Sequence, residues 1–350
     1  MNNEITASIT NDSVVNTSGQ FESGQGVLVS ATDVSDIDVD VISVAASLAF
    51  SGGGAASVAV SVSIAEIEFN TETQALIEDS DVTAGSGNVE LRALTDSDID
   101  VRADAASISL SGSGGFALAG SGVGTIARVN SDGRTIASIR GGADVQALDG
   151  SVILDADDRS VVDADALGIA VSVSISGTLS AAGAVVFSEV DVDYGSNVVA
   201  RIAASGVESE GDVIVTADST VDSDAEANGI SIGLTVGGLA GLSLSVAAGV
   251  VNNEVSQTVD ASIMNSDDDD AVVAEESVRV EAEDAATLVG VARAISVSAA
   301  IGFGAGAIGV SAAVSNLRLS GATTARIGNS DVTALGGLVN VDARTTSDLT

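Results

Sequence analysis

The chain has no cysteine, proline, tryptophan, histidine or lysine among its 350 residues, and only one tyrosine and six phenylalanines. Each absence closes a route. Without cysteine there is no disulfide, thiolate metal ligand or thiol nucleophile. Without histidine, cysteine or lysine, acid–base and nucleophilic chemistry is left to carboxylates, hydroxyls and arginine. So few aromatics cannot supply the girdles of an outer-membrane barrel, nor an aromatic-lined groove for polysaccharide. Cations are scarce as well: all 12 basic residues are arginine, against 50 acids, for a net charge of −38. That balance opposes binding to nucleic acid or anionic membrane, because each phosphate contact needs a cation. It suits a highly soluble surface, a salty setting or divalent cations. The opening residues, Met1-Asn2-Asn3-Glu4, have neither the basic region nor the apolar stretch of a signal peptide.

What is present is a repeat. An apolar-x-apolar-x-Ala pattern begins at Val27, Val89, Val152, Val213, Val278 and Val339, at spacings of 62, 63, 61, 65 and 61. A second marker, Ala-x-Ile, falls at Ala7, Ala75, Ala137, Ala200, Ala261 and Ala325. From the Ala closing the first marker to the next second marker the distance is 44 residues in four units and 43 in the fifth, while the remainder of a unit varies from 17 to 24. A register-locked block joined by one tolerant loop is how repeat arrays are built. The units are 27–88, 89–151, 152–212, 213–277 and 278–338, with partial units at 1–26 and 339–350, in a single array.

Each unit contains a long uncharged stretch, at 41–65, 105–127, 166–188, 227–253 and 294–317. These are long enough for membrane helices, but they are rich in glycine, their flanks are acidic, and they alternate with period two, as in Ile230, Ile232, Leu234 and Val236. Alternation is strand periodicity, so no membrane insertion is expected. In two units the apolar phase flips, from Ala225 and Ala227 to Ile230 and Ile232, and from Ala164 and Ala166 to Leu167 and Ile169. A flip implies a corner or bulge, and glycine clusters near the middle of the block (Gly52–Gly54, Gly112–Gly115, Gly237–Gly238) imply turns. The expectation is five or six short strands per unit with recurrent corners. Small residues opposite Val and Ile suggest sheets buried on both sides and stacked closely. The fold expected is all-β, an elongated β-solenoid of about 62-residue repeats. Long β-hairpins stacked in a layered β-sandwich are the alternative.

The sharpest chemical candidate is Ca²⁺, which takes six to eight hard oxygen ligands. The runs that offer them are Asp96 with Asp98, Asp155 with Asp157 and Asp158, and Asp267-Asp268-Asp269-Asp270. Neither an EF-hand loop nor a Ca²⁺-binding nonapeptide is written in the sequence, and a solvated acidic surface is the plainer reading. Acid pairs recur from unit to unit where a catalytic pair would occur once, so no enzyme is expected, no catalytic residue is assigned, and no cofactor is expected apart from Ca²⁺.

The pattern Ala-x-Ile-x-x-Ser-x-Val-x-Ala-x-x-Gly-x-Val-x-(Val/Leu)-x-Ala, at Ala75–Ala93 and Ala325–Ala343, is followed in the repeat by an acidic strand and a Gly/Ala/Val tract. It resembles the repeats of very large secreted bacterial surface proteins of the adhesin, leukotoxin-like and filamentous-haemagglutinin-like type, and the likeness covers essentially the whole chain. The resemblance implies a β-solenoid shaft, surface attachment or biofilm matrix, and an extracellular or cell-surface location. It supplies no catalytic residues. The expectation is a non-enzymatic fibre subunit or adhesin shaft, self-assembling end to end through open β edges, with cell-surface or matrix components as further partners. A Ca²⁺-dependent cell-surface or S-layer-like module is the alternative.

Overall fold

The computed structural model describes residues 2–17, 25–267 and 270–350. One coil shows the plan. Strand β3 (Gln25–Ser51) runs out, the chain turns at Gly52–Gly53, β4 (Gly54–Glu78) runs back, and the short β5 (Asp81–Ala84) crosses to the start of the next coil. The outbound strands β3, β6 (Asn88–Ser113), β9 (Val152–Ser176), β12 (Val213–Gly237), β15 (Val278–Ile301) and β18 (Val339–Leu349) form one parallel sheet, here sheet C. The returning strands β1 (Asn2–Ile9), β4, β7 (Phe116–Arg140), β10 (Leu179–Ala203), β13 (Ala240–Met264) and β16 (Gly304–Gly328) form sheet A. The short strands β2 (Val14–Thr17), β5, β8 (Asp144–Ala147), β11 (Gly206–Ser209), β14 (Val272–Ala274) and β17 (Val332–Ala334) form sheet B.

Within a coil the two long strands face each other without pairing. Their backbone bonds go to the coils before and after, which makes this a β-solenoid and not a stack of hairpins. A 25-residue strand extends about 80 Å, while each coil advances the stack by about 4.8 Å, so the coil is a broad, flat blade. The sequence markers stack. Val27, Val89, Val152, Val213, Val278 and Val339 are consecutive register partners, as are Ala75, Ala137, Ala200, Ala261 and Ala325. The constant block is thus the two long strands and the turn between them, and the tolerant remainder is sheet B with its two corners.

Those corners have their own chemistry. The residue two places after the marker Ile is in the left-handed region in each coil: Asn11, Asp79, Gly141, Ala204, Asn265 and Asn329, with φ between 47° and 77°, joined by Asp12 and Gly142 in two of them. Where a serine follows, it bonds back to the strand it leaves, Ser80 Oγ to the Glu78 carbonyl at 2.9 Å and Ser205 Oγ to that of Ala203 at 3.0 Å. At the opposite end, the blade tip, the turns stack so closely that a Cβ on Gly177 would lie 2.4 Å from the Gly114 carbonyl oxygen, and one on Gly238 would lie 2.1 Å from that of Gly177. Only glycine fits that column.

Two expectations are corrected here. Among the described residues there are three strands per coil, two of them long, in place of five or six short ones. The phase flip is also no corner: β12 alternates between buried and outward positions without interruption from Val213 to Gly237. Val213, Val215, Ala225 and Ala227 point inward, and so do Ser231, Gly233 and Thr235, while Ile230, Ile232, Leu234 and Val236 point out. The strand goes straight on and the hydrophobicity changes sides.

Candidate functional site

From sheet B towards the tip the interior passes through four zones. The first is an apolar core shared by all three sheets, including Leu91, Leu154, Ile77, Ile139 and Val145, all fully buried. Next comes a polar spine. Asp33, Thr95, Asp158, Ser219 and Asp284 are register partners that all point inward and are buried. Ser160 Oγ donates to Asp158 Oδ1 at 2.9 Å, Ser196 Oγ donates to Oδ2, and Tyr194 OH donates to Ser160 Oγ at 2.6 Å. In neighbouring coils Thr95 pairs with Thr135 at 2.7 Å and Gln257 Nε2 donates to Ser219 at 2.9 Å. Burial pushes the Asp158 carboxyl above the usual range, against the pull of the Ser196, Ser160 and Tyr194 hydroxyls. Beyond the spine lies a second apolar core around Phe69, Ile99, Val192 and Leu288.

The fourth zone, at the tip, is lined mainly by serine, alanine and glycine, with Val123, Val186 and Thr235 among them. Serine hydroxyls cross the gap and bond to carbonyls of the opposite sheet: Ser107 to Ala59 at 3.0 Å, Ser109 to Ser57 at 2.9 Å and Ser231 to Ala184 at 2.8 Å. One serine side chain spans the gap, so the sheets stand well inside the ~10 Å of ordinary sheet stacking. No Ile or Leu would fit inside, which is why these residues face outward.

The outside divides at the same level. Over the sheet B half, acids and arginines cover both long faces. Asp38, Asp100, Asp163 and Asp224 form an in-register column of four carboxylates on sheet C. Beside it, Asp165 is raised to about 6, first by partial burial and then by Asp163 and Glu226, with Arg102 opposing. Nearer sheet B, Asp218 is also raised to about 6, again chiefly by burial, then by Asp157 and Asp155. Arginines relieve the crowding across coils, Arg92 to Asp155 at 3.3 Å and Arg140 to Glu78 at 2.9 Å. Past Asp40, Asp104, Asp165, Glu226 and Arg293 on the way out, and before Glu66, Arg128, Glu189, Glu254 and Arg318 on the way back, no charged residue occurs. The outer faces there carry Ile, Val, Leu and Phe. Even in the central coil Ile175 is 49% exposed and Val185 48%.

The acids singled out as Ca²⁺ candidates are scattered over this architecture. Asp96 and Asp98 are exposed on the outer face of sheet C. Asp155 and Asp157 also face outward, held by Arg92 and Arg159, whereas Asp158, the next residue, is inside the spine. Asp267 is exposed in the loop after β13, where its carbonyl accepts from the Asp270 N–H at 2.9 Å, and Asp268 and Asp269 lie outside the described residues. Among the described residues no group of three or more acids is placed to hold a metal ion. The column Asp38–Asp100–Asp163–Asp224 was missed by looking for local runs. Its signal is the spacing of 62, 63 and 61, the same as the first marker's. Among the described residues no helix is long and apolar enough to cross a membrane.

No family model matches the chain, and neither a curated protein nor a solved structure is significantly similar to it.

Proposed function

We propose that the chain is a non-catalytic structural element, a segment of the shaft of a secreted surface protein or the subunit of an extracellular fibre, which grows along the coil axis. The observation that carries this is the stacking of every coil on one axis in one register, with the same inward and outward columns. Such an array is stabilised by nearest-neighbour ladders and extends without changing its cross-section. In the end coils, β1, β2 and β3 each pair on one side only, as do β16, β17 and β18. Unpaired ladders are templates for further strands, from a longer array or a second copy. The acidic outer face keeps such fibres apart at the sheet B end.

Negative-stain microscopy and fibre diffraction of the purified chain test this. The expected result is filaments about 80 Å wide with a 4.7–4.8 Å reflection along the fibre axis. Chains that stay single at high concentration, with rapid hydrogen exchange in β1 and β18, would overturn axial growth. The carboxylate column favours a second reading, stabilisation by divalent cations. A melting temperature that rises in millimolar Ca²⁺ and returns with chelator supports it, and an unchanged one removes it.

A further inference from the structure

The apolar tip needs a partner that the axial ladders do not provide. On each face it spans about 10 residues of strand across five coils, roughly 35 by 24 Å or ~800 Å². That exceeds the few hundred Å² that soluble monomers leave bare and equals one partner's share of a stable interface. We propose that a second copy of this chain covers it. The copies stack sideways, the sheet A tip of one on the sheet C tip of the next, with the blades pointing in opposite directions.

Shape selects the faces. On sheet A, Gly120 and Gly183 are register partners without side chains on the outer surface, so a trough of about 570 Å³ opens there between Val58, Leu118, Leu242 and Leu244. In the central coil the equivalent part of sheet C presents larger side chains in succession on its outer face, Ile169, Val171, Val173 and Ile175. A ridge meets a trough only when A lies on C. A single like-on-like contact would leave the other face of every blade in water, whereas one A-on-C contact, repeated, buries both. Charge selects the direction. With a net charge of −38, blades stacked in parallel would bring their acidic halves face to face, and opposed blades overlap only at the uncharged tips. Lipid fits less well. Asp40, Asp104 and Asp165 at the border of the band would meet the headgroups. The contact is heterologous, so it repeats from blade to blade.

The test uses two variants of the full chain, Val185→Asp/Leu244→Asp on sheet A and Val171→Asp/Ile232→Asp on sheet C, with circular dichroism confirming that each remains β. Sedimentation of the parent over a concentration series should show lateral association that strengthens with salt. Each variant should weaken it at least 100-fold. An equimolar mixture of the two should recover a single contact, giving 1:1 dimers only, because one intact A face and one intact C face remain. The milder Val185→Thr/Leu244→Thr variant should weaken association by a smaller factor. Loss in only one variant, or no recovery on mixing, overturns A-on-C stacking. A parent chain that stays unassociated sideways but floats with zwitterionic vesicles shows that the partner is lipid. Axial filaments, which use the end ladders, should persist in both variants, so failure here is distinguishable from failure of the fibre reading.

Discussion

The two halves of each blade are built on the same strands and obey opposite rules. Near sheet B the interior holds Leu154, Ile139 and Val145, and the exterior holds Asp155, Asp157 and Asp218. Near the tip the interior holds Ser172 and Ser231 while the exterior holds Ile169 and Ile232. The difference is one of gap width. Where the third sheet props the long sheets apart, large side chains fill the space and the hydrophobic effect stabilises the coil in the usual way. Where two sheets close onto a glycine turn, small side chains predominate, chiefly Ser, Ala and Gly with Val123, Val186 and Thr235 among them, and the stabilisation shifts to backbone ladders and to serine hydroxyls bonded across the gap. Hydrogen bonds of that kind contribute about 1 kcal/mol each. The bonds of Ser107, Ser109 and Ser231 help to hold the tip closed, whereas Ser172, Ser174 and Ser176 of the central coil make none and leave the work there to the ladders.

Paired substitutions should expose this inversion. Leu154→Ala, in the fully buried core, is expected to cost about 3 kcal/mol in denaturant unfolding, from lost transfer energy and the cavity left behind. Ile232→Thr, a loss of apolar surface on the outer face of the tip, should cost less than about 0.5 kcal/mol in dilute monomer. The reverse change inside the tip, Ser231→Leu, removes the bond to Ala184 and forces side-chain volume between sheets a serine apart. It should cost about 1–3 kcal/mol and speed hydrogen exchange at the tips of neighbouring coils first. If Ile232→Thr proved as damaging as Leu154→Ala, the outer band would be interior and the two-halves description would fail.

Much of this was legible in the sequence. The Val27 and Ala75 series fixed the coil length and register because both columns lie in the wide, apolar core, where a slip of one residue would turn every side chain over. The tip glycines were legible because stacked turns exclude a Cβ. What misled was the assumption that the apolar phase always faces inward. Alternation says which residues share a face, and it cannot say which face is inside unless the gap is known. The clue lay in the partners: Ser107, Ser109 and Ser111 alternate with Ile108 and Leu110, and side chains that small suit a gap with room for nothing larger. Parity also splits the run from Asp155 to Asp158, sending its last member into the spine while its neighbours face water. The carboxylate column was hidden because its members are some sixty residues apart, and only the coil brings them together.

The acidic half should respond to pH in the direction opposite to an ordinary salt-bridged protein. Asp165 and Asp218, raised to about 6, and Asp158, raised by burial, bind protons more tightly folded than unfolded. Their contribution to stability is fully present below the unfolded value of ~3.9 and is lost as pH rises through about 6. The melting temperature should therefore rise by a few degrees between pH 7.5 and pH 5. Added salt at pH 7.5 should recover part of the rise by screening the outer carboxylates, without reaching Asp158 in the spine. Asp158→Asn should flatten the pH profile, and the tip variant Ile232→Thr should leave it unchanged. A melting temperature that falls steadily from pH 7.5 to pH 5 would mean that these carboxylates are stabilised as anions.

A further modest effect belongs to the corner between sheets A and B, far from the tip. Six coils place Asn, Asp, Gly, Ala, Asn and Asn at the left-handed position, and Ala204, at φ 47°, is the one whose side chain gives nothing back for it. A Cβ in that region crowds the following carbonyl and costs about 1 kcal/mol, relieved in the preceding coil by Gly141. Ala204 still makes the corner bond, its N–H donating to the Met264 carbonyl at 2.9 Å, so the geometry is imposed by the coils on either side and not chosen by the residue. Ala204→Gly should then stabilise the chain by up to about 1 kcal/mol, because relief of the crowding outweighs the added freedom of the unfolded chain. Ala204→Asn should gain a few tenths, and Ala204→Val should lose more than either gains, since a β-branched side chain is a poor fit there. Thermal unfolding of the three variants decides it. A lower melting temperature for Ala204→Gly would show that the corner is held without strain, and that its left-handed column reflects the turn's path more than the residues that make it.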